Sequence, residues 1–301
     1  ARMRLFQIEM VRRQAWGTQS EVLGEGSFAA DAASRTLNFA RYGRESRTRM
    51  EREFPQYATL IRAFVRGINL YIDRAARGAE SLPAEFGVDA LSYTPQRFSD
   101  DDPYVIGKML SFGMSNSLDS EILATVLGTL APQVADFPLN LPTRAAYTMP
   151  GASQIMPLAA PPGEAKIAPF DHPQRAAIAA ALSAYRPIST NNGSNNWAVA
   201  GRFTQNGRPL LSGDPHQPLR NPIRFFVQHL SSIDRGGSLD VIGFGFAGAP
   251  GVQLGHNRQV GWTATTNFAD VMDLWRVSTR AAGDVEQTQV GTTWVPVARR
   301  Q

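Results

Sequence analysis

The sequence predicts an α+β chain in which a helical region precedes antiparallel strands, and three observations carry that reading. Apolar residues recur at helical spacing in the first third, short β-rich runs dominate from Asn195 onward, and the stretch between them is crowded with proline. Helices first and strands second, without alternating βαβ units, argue for segregated layers. At 301 residues and 43% apolar composition the chain can bury a sizeable core, as one large domain or two.

Residues 1–24 read as the first helix, and Ile61, Phe64, Val65, Ile68 and Ile72 mark the apolar stripe of another. Arg44 to Glu53 interleaves bases with acids, the pattern of a solvated helix face. Asp100-Asp-Asp102-Pro103 is a helix-start signal for residues 103–130, since carboxylates suit the positive end of a helix and proline suits its first turn. Residues 132–173 hold nine of the twenty prolines and form an exposed connector that cannot sustain regular structure. The β-rich runs follow: Asn195 to Gly201, Pro209 to Gly213, Ile223 to Leu230, Leu239 to Ile242 and Met272 to Ser278.

Ser194, in Ser189-Thr-Asn-Asn-Gly-Ser-Asn-Asn-Trp197, is the strongest candidate for chemistry. A serine hydroxyl needs a base within reach to act as a nucleophile at neutral pH. A serine exposed as a new N-terminus carries its own, because an α-amine with a pKa of roughly 7.7–8.0 is partly neutral near pH 7 to 8 and can take the hydroxyl proton through one water. Gly193 supplies the acyl side of the bond to be cut and, lacking a Cβ, tolerates the bend that attack on its carbonyl requires. Asn206-Gly207 is a two-residue hairpin signal that pairs 206 with 207 and 197 with 216. His216 then falls within three residues of the position opposite Ser194, roughly 10 Å along a strand at about 3.4 Å per residue. Strict alternation puts His216 on the face opposite Ser194, although Pro215 interrupts the ladder there.

Several motifs in order resemble the penicillin acylase family of N-terminal nucleophile hydrolases. They are Gly193-Ser194-Asn195 with Trp197-Ala-Val, Gly213-Asp-Pro-His216, Pro250-Gly251, Gly255-His256-Asn257, and Trp262 with Asp270 and Asp273. Ala1 to Met10 resembles that family's first helix, so the likeness runs over nearly the whole chain. The resemblance implies a four-layer αββα fold, of which residues 194–301 hold the start of the sheet domain. Residues 1–131 then match the helical chain, and 132–193 the connector with its excised spacer. It also implies an autoproteolytically activated amidohydrolase acting on a linear amide: a penicillin or cephalosporin side chain, an acyl-homoserine lactone or a lipopeptide.

By the same resemblance Ser194 is the nucleophile and Thr266 the backbone donor of an oxyanion hole. His216, expected as a further catalytic residue, occupies a place where penicillin G acylases carry Gln and cephalosporin, aculeacin and acyl-homoserine lactone acylases carry His. Gln217, Leu254, Met114 and Leu118 match acyl-pocket positions, without the aromatic side chains that grip phenylacetyl groups. Glu121, Asp270 and Asp273 match the carboxylates of a structural calcium site, a hard-oxygen donor set suited to that ion. The two cleaved chains would pair as a heterodimer, and a periplasmic location is implied. The family's second oxyanion donor is an Asn far downstream, so the sequence reads as an internal segment of a longer precursor. A rival expectation is a calcium-stabilised homologue of the same fold that binds without turnover.

Other classes fit less well. No stretch approaches 18 uncharged apolar residues, as a membrane span requires. The net charge of +4 is dispersed, with no basic stripe for nucleic acid. Cysteine is absent, which excludes disulfides, and the four histidines lack zinc-ligand spacing. His229 reads as a core or edge residue and His256 as a turn residue. Gly243 to Gly248 matches a dinucleotide fingerprint, but Pro250-Gly251 stands where a phosphate-binding helix should start. No G-x-S-x-G elbow is present.

Overall fold

The computed structural model describes residues 2–114, 194–217, 221–265 and 277–298. The expected connector and spacer, residues 132–193, lies outside them. The chain divides into two compact units, one of residues 1–114 with 189–267, the other of 115–188 with 268–301. Helices and antiparallel sheets are both present, as the α+β expectation required. Among the described residues no helix is long and apolar enough to cross a membrane.

Six α-helices make up the helical portion of the first unit: α1 Leu5–Trp16, α2 Ser20–Leu23, α3 Phe28–Leu37, α4 Phe39–Glu53, α5 Pro55–Ala76 and α6 Asp102–Met114. The single helix expected over residues 1–24 is broken at Gly17. That residue adopts a left-handed conformation at φ 68°, and the N–H groups of Gly17 and Thr18 close on the carbonyls of Gln14 and Arg13. A Cβ at Gly17 would come within 2.7 Å of both Arg35 Cγ and the Asp31 carbonyl, so glycine is also needed for close packing. Asn38, left-handed as well, ends α3 and caps α4 by accepting the Arg41 N–H. The stripe read from α5 is real: Val65, Ile68 and Ile72 are buried with Leu5, Ile8, Phe39, Val105 and Ile106 in one core.

Charged groups also enter that core. Glu9 is fully buried on α1, with Arg12 Nη2 at 2.7 Å and Arg13 Nε at 3.0 Å from its Oε1, which also accepts the Tyr93 hydroxyl at 2.7 Å. Asp102, at the head of α6, lies 3.6 Å from Arg12 and accepts the Trp16 indole N–H at 2.7 Å. Burial pushes the Asp102 carboxyl above its ordinary range despite Arg12. These bonds tie α1 to the segment before α6 and fix where α6 points.

The remainder of the first unit is β. Strands β1 Ser194–Val199 and β2 Leu210–Pro215 form an antiparallel pair; β3 Phe225–Ser231, β4 Asp240–Phe246, β5 Leu254–His256 and β6 Gly261–Trp262 form a four-stranded antiparallel sheet in that order. The Asn206-Gly207 turn is not the two-residue hairpin expected. The connection runs from 200 to 209 through a 3₁₀ turn at Gly201–Phe203, the Thr204 hydroxyl donates to the Arg208 carbonyl at 2.7 Å, and Asn206 Oδ1 accepts the Arg208 N–H at 3.0 Å. Asn206 spends its side chain on a local turn, and the register moves so that Trp197 faces Ser212, not His216. After β4, Ala247 joins the helical core and Gly248 approaches Ile106 and Ile8 of α6 and α1. The end of β4 is thereby seated on the helices.

Gly243 to Gly248 run from β4 into the turn toward β5, with Gly243 paired to Gln228 and Gly255, so no helix follows the glycines. His229, on edge strand β3, is exposed and contacts Asp240 Oδ1 at 2.8 Å. The β5–β6 turn is built by Asn257, whose Oδ1 accepts the N–H groups of Gln259 and Val260, while His256 pairs with Gly261. The strand expected at 272–278 lies largely outside the described residues. In the second unit β7 Thr279–Ala282, β8 Val285–Val290 and β9 Thr293–Pro296 form an antiparallel meander.

Candidate active site

Ser194 is the first residue of β1, and Pro215, the last of β2, is its partner across the ladder. The serine stands on one wall of a cavity of about 350 Å³. Met114, Gln217 and Leu254 stand on the other walls, brought from the end of α6, the segment after β2 and the start of β5. Phe225 and Phe246, directly opposed across β3 and β4, add a stacked pair with centroids 4.5 Å apart. Most of the lining is apolar, with Ser194, Gln217, Gln253 and Thr265 as polar points. A nucleophilic hydroxyl beside a mainly apolar chamber suits a substrate whose acyl group is buried next to the carbonyl under attack.

Local hydrogen bonds hold these walls. Gln253 accepts the Phe246 N–H at 2.9 Å and donates to the Pro250 carbonyl at 2.9 Å, which clamps the turn between β4 and β5. The Trp262 indole N–H donates to the Val252 carbonyl at 3.3 Å. A Cβ at Gly213 would come 2.1 Å from Thr263 Oγ1, so glycine lets β2 lie close against the segment leaving β6. Ala264 and Thr265 of that segment line the cavity.

Pairwise alternation survives Pro215: Ser194, Pro215 and Gln217 all face the cavity. His216, one residue past the position opposite Ser194, is not in the lining and contacts Asp214 Oδ2 through Nε2 at 3.0 Å. The structure thus brings together Ser194, Met114, Gln217 and Leu254, and sets His216 beside Asp214. Gly193, Leu118, Glu121, Thr266, Asp270 and Asp273 lie outside the described residues; among those described, no group of three or more His, Asp or Glu side chains is placed to hold a metal ion. Phe225, Phe246 and Gln253 are site residues that the sequence reading misses. The strand read at Leu239 to Ile242 stops short of Phe246, so its pairing with Phe225 is not legible there, and no local pattern signals Gln253.

The fold and site define an α+β protein whose antiparallel strands present a serine to a largely apolar cavity. This chain belongs to the penicillin amidase family, whose model matches residues 1–301. It is 32% identical over 309 residues to penicillin acylase 2 proenzyme of Pseudomonas sp. (strain SE83), covering 100% of this chain and 36% of that protein. Acyl-homoserine lactone acylase QuiP of Pseudomonas aeruginosa is 29% identical over 315 residues, covering 99% of this chain and 33% of the relative. Acyl-homoserine lactone acylase PvdQ of Pseudomonas syringae pv. syringae is 30% identical over 149 residues, 48% of this chain and 19% of the relative. The chain spans about a third of the length of the first two.

Proposed function

We propose that this chain is the nucleophile-bearing portion of an amidohydrolase that removes an acyl group from an amine in a linear amide. One observation carries the reading: Ser194 shares its cavity with Met114, Gln217 and Leu254, the three described positions that the family resemblance assigns to the acyl pocket. Names of similar proteins point to two substrate classes, penicillin-type side chains and acyl-homoserine lactones. The apolar lining, Phe225 and Phe246 included, favours an apolar acyl group.

In the proposed mechanism the bond between Gly193 and Ser194 is cut by the chain itself, and the sheets belong to the αββα sandwich of N-terminal nucleophile hydrolases. The freed Ser194 amine takes the hydroxyl proton through a water, the hydroxyl oxygen attacks the amide carbonyl, and the amine product leaves with a proton. Water then hydrolyses the acyl ester and restores the serine. Thr266 N–H is the proposed donor to the developing oxyanion; the lining of the cavity by Ala264 and Thr265 supports it. His216, held by Asp214 and adjacent in sequence to the cross-strand partner of Ser194, is assigned a supporting polar role. Glu121, Asp270 and Asp273 are proposed to hold calcium that joins the two cleaved chains in a periplasmic heterodimer.

Intact mass spectrometry of the full-length protein, wild type beside Ser194→Ala, tests the reading. Two chains in wild type, parting before Ser194, and one uncut chain in the variant are expected. An uncut wild type would refute the self-made nucleophile. Chelation should lower the thermal midpoint of the processed protein, and an unchanged midpoint removes calcium from the account.

A further inference from the structure

A second cavity, of about 340 Å³, lies between α1 and α6 on the far side of Phe246. Its apolar walls come from Phe6, Met10 and Val11 of α1, Met109 and Leu110 of α6, and Ala247. Phe246 is the residue common to its lining and that of the Ser194 cavity. Phe246 is 8% exposed, its ring stacks on Phe225, and its backbone N–H donates to Gln253. A side-chain hydrogen bond crosses between the same two spaces: Arg224 Nη1, from the second lining, donates to Gln217 Oε1, from the first, at 2.7 Å. Phe246 and the Arg224–Gln217 hydrogen bond therefore stand where the two described linings meet.

We propose that Phe246 sets the longest acyl chain this site accepts, and that the cavity between α1 and α6 receives the tail of an unbranched fatty acyl group once the ring is removed or turned. This inference rests on the amidohydrolase reading and adds the determinant of chain length. Two of the amides in the second lining are already occupied by backbone carbonyls, Gln7 by Ile223 at 3.0 Å and Gln19 by Met10 at 3.4 Å. The surface left to an occupant on the α1 and α6 sides is mostly hydrocarbon, which suits methylene groups. Each methylene taken out of water should raise kcat/KM about fourfold until the second cavity is full.

The test uses the full-length processed enzyme and a series of unbranched N-acyl-homoserine lactones from butanoyl to tetradecanoyl. Phe246→Ala should move the chain-length optimum upward and raise the ratio of long-chain to short-chain kcat/KM at least about tenfold, the gain of two methylenes. Phe246→Leu, which keeps more of the packing, should shift it in the same direction by less. Adding Leu110→Trp to Phe246→Ala refills the second cavity and should cancel the long-chain gain. A wild type that hydrolyses the series while both Phe246 variants keep its profile would overturn this inference alone. Long-chain gain that survives Leu110→Trp would overturn the second cavity as the receiving space. A wild type that hydrolyses no member would overturn the amidohydrolase reading for this substrate class and the inference with it.

Discussion

Replacing Gly43 with alanine should destabilise the protein, against the direction that helix propensity gives. Gly43 is buried in α4 where that helix meets α6, and an added Cβ would lie 2.5 Å from Val105 Cγ2, 2.7 Å from Val105 Cα and 2.8 Å from Val105 N. Carbon atoms in good contact sit about 3.5–4.0 Å apart, so the helices must separate by roughly 1 Å. Two of the three clashes are with backbone, so no side-chain rotation of the fully buried Val105 relieves them. Overpacking of this kind costs about 1–3 kcal/mol or somewhat more, and separating the helices also forfeits dispersion along their contact. Alanine's propensity advantage returns about 1 kcal/mol, and with the clash on backbone atoms placing the cost at the upper end, the net loss reaches up to about 2 kcal/mol. Because α6 carries Met114 to the Ser194 cavity, the acyl-chain selectivity expected on the proposed amidohydrolase reading should shift as well. Urea unfolding of the full-length protein, followed by far-UV circular dichroism, gives the measurement. Gly67→Ala is the control, since an added Cβ on that exposed face of α5 meets nothing within 4 Å and should be neutral or stabilising. If Gly43→Ala matches Gly67→Ala in midpoint, the close-approach argument is wrong.

Two further outcomes follow from the buried polar groups. Glu9→Gln leaves Arg12 and Arg13 buried without their shared counter-charge, with Asp102 at 3.6 Å and the exposed Glu21 as the remaining carboxylates among the described residues, so a loss of about 3 kcal/mol is expected in the same urea assay. A loss under about 1 kcal/mol would show that those two carboxylates suffice. Asp31 is buried, which by itself raises its pKa, but bonds from the Ser20 hydroxyl, the Ser20 N–H and the Gln19 N–H, with Arg35 nearby, bring it below the ordinary aspartate range. An acid whose folded pKa is depressed lends stability that is present above its unfolded pKa and lost as pH falls through the folded value. The gap in urea midpoint between wild type and Asp31→Asn should therefore be widest near neutrality and shrink below about pH 4; a gap unchanged from pH 7 to pH 3 would contradict the hydrogen-bonded carboxylate.

The sequence by itself determined the order of helices before strands and the apolar stripe of α5, because each is written in neighbouring residues with a period of 3.6 or 2; Ser194 stood out through the resemblance of the motifs around it. Local signals failed at two turns: Gly17 takes a left-handed backbone conformation and ends α1 within the span read as one helix, and Asn206 folds its amide into a longer turn and so changes the register of β2. The cavity is another matter. Resemblance pointed to Met114, Gln217 and Leu254, yet Phe225, Phe246 and Gln253 complete the walls, and Met114, Ser194, Phe246 and Ala264 meet only after α6 and three separate strand segments have packed. Alternation along β2 had already set His216 on the other face from Ser194, but only the tertiary structure decided that Phe246 lines both that cavity and the second one beside α1 and α6. Strand register and helix seating are set by burial summed over residues far apart in the chain, and no short window of sequence contains that sum.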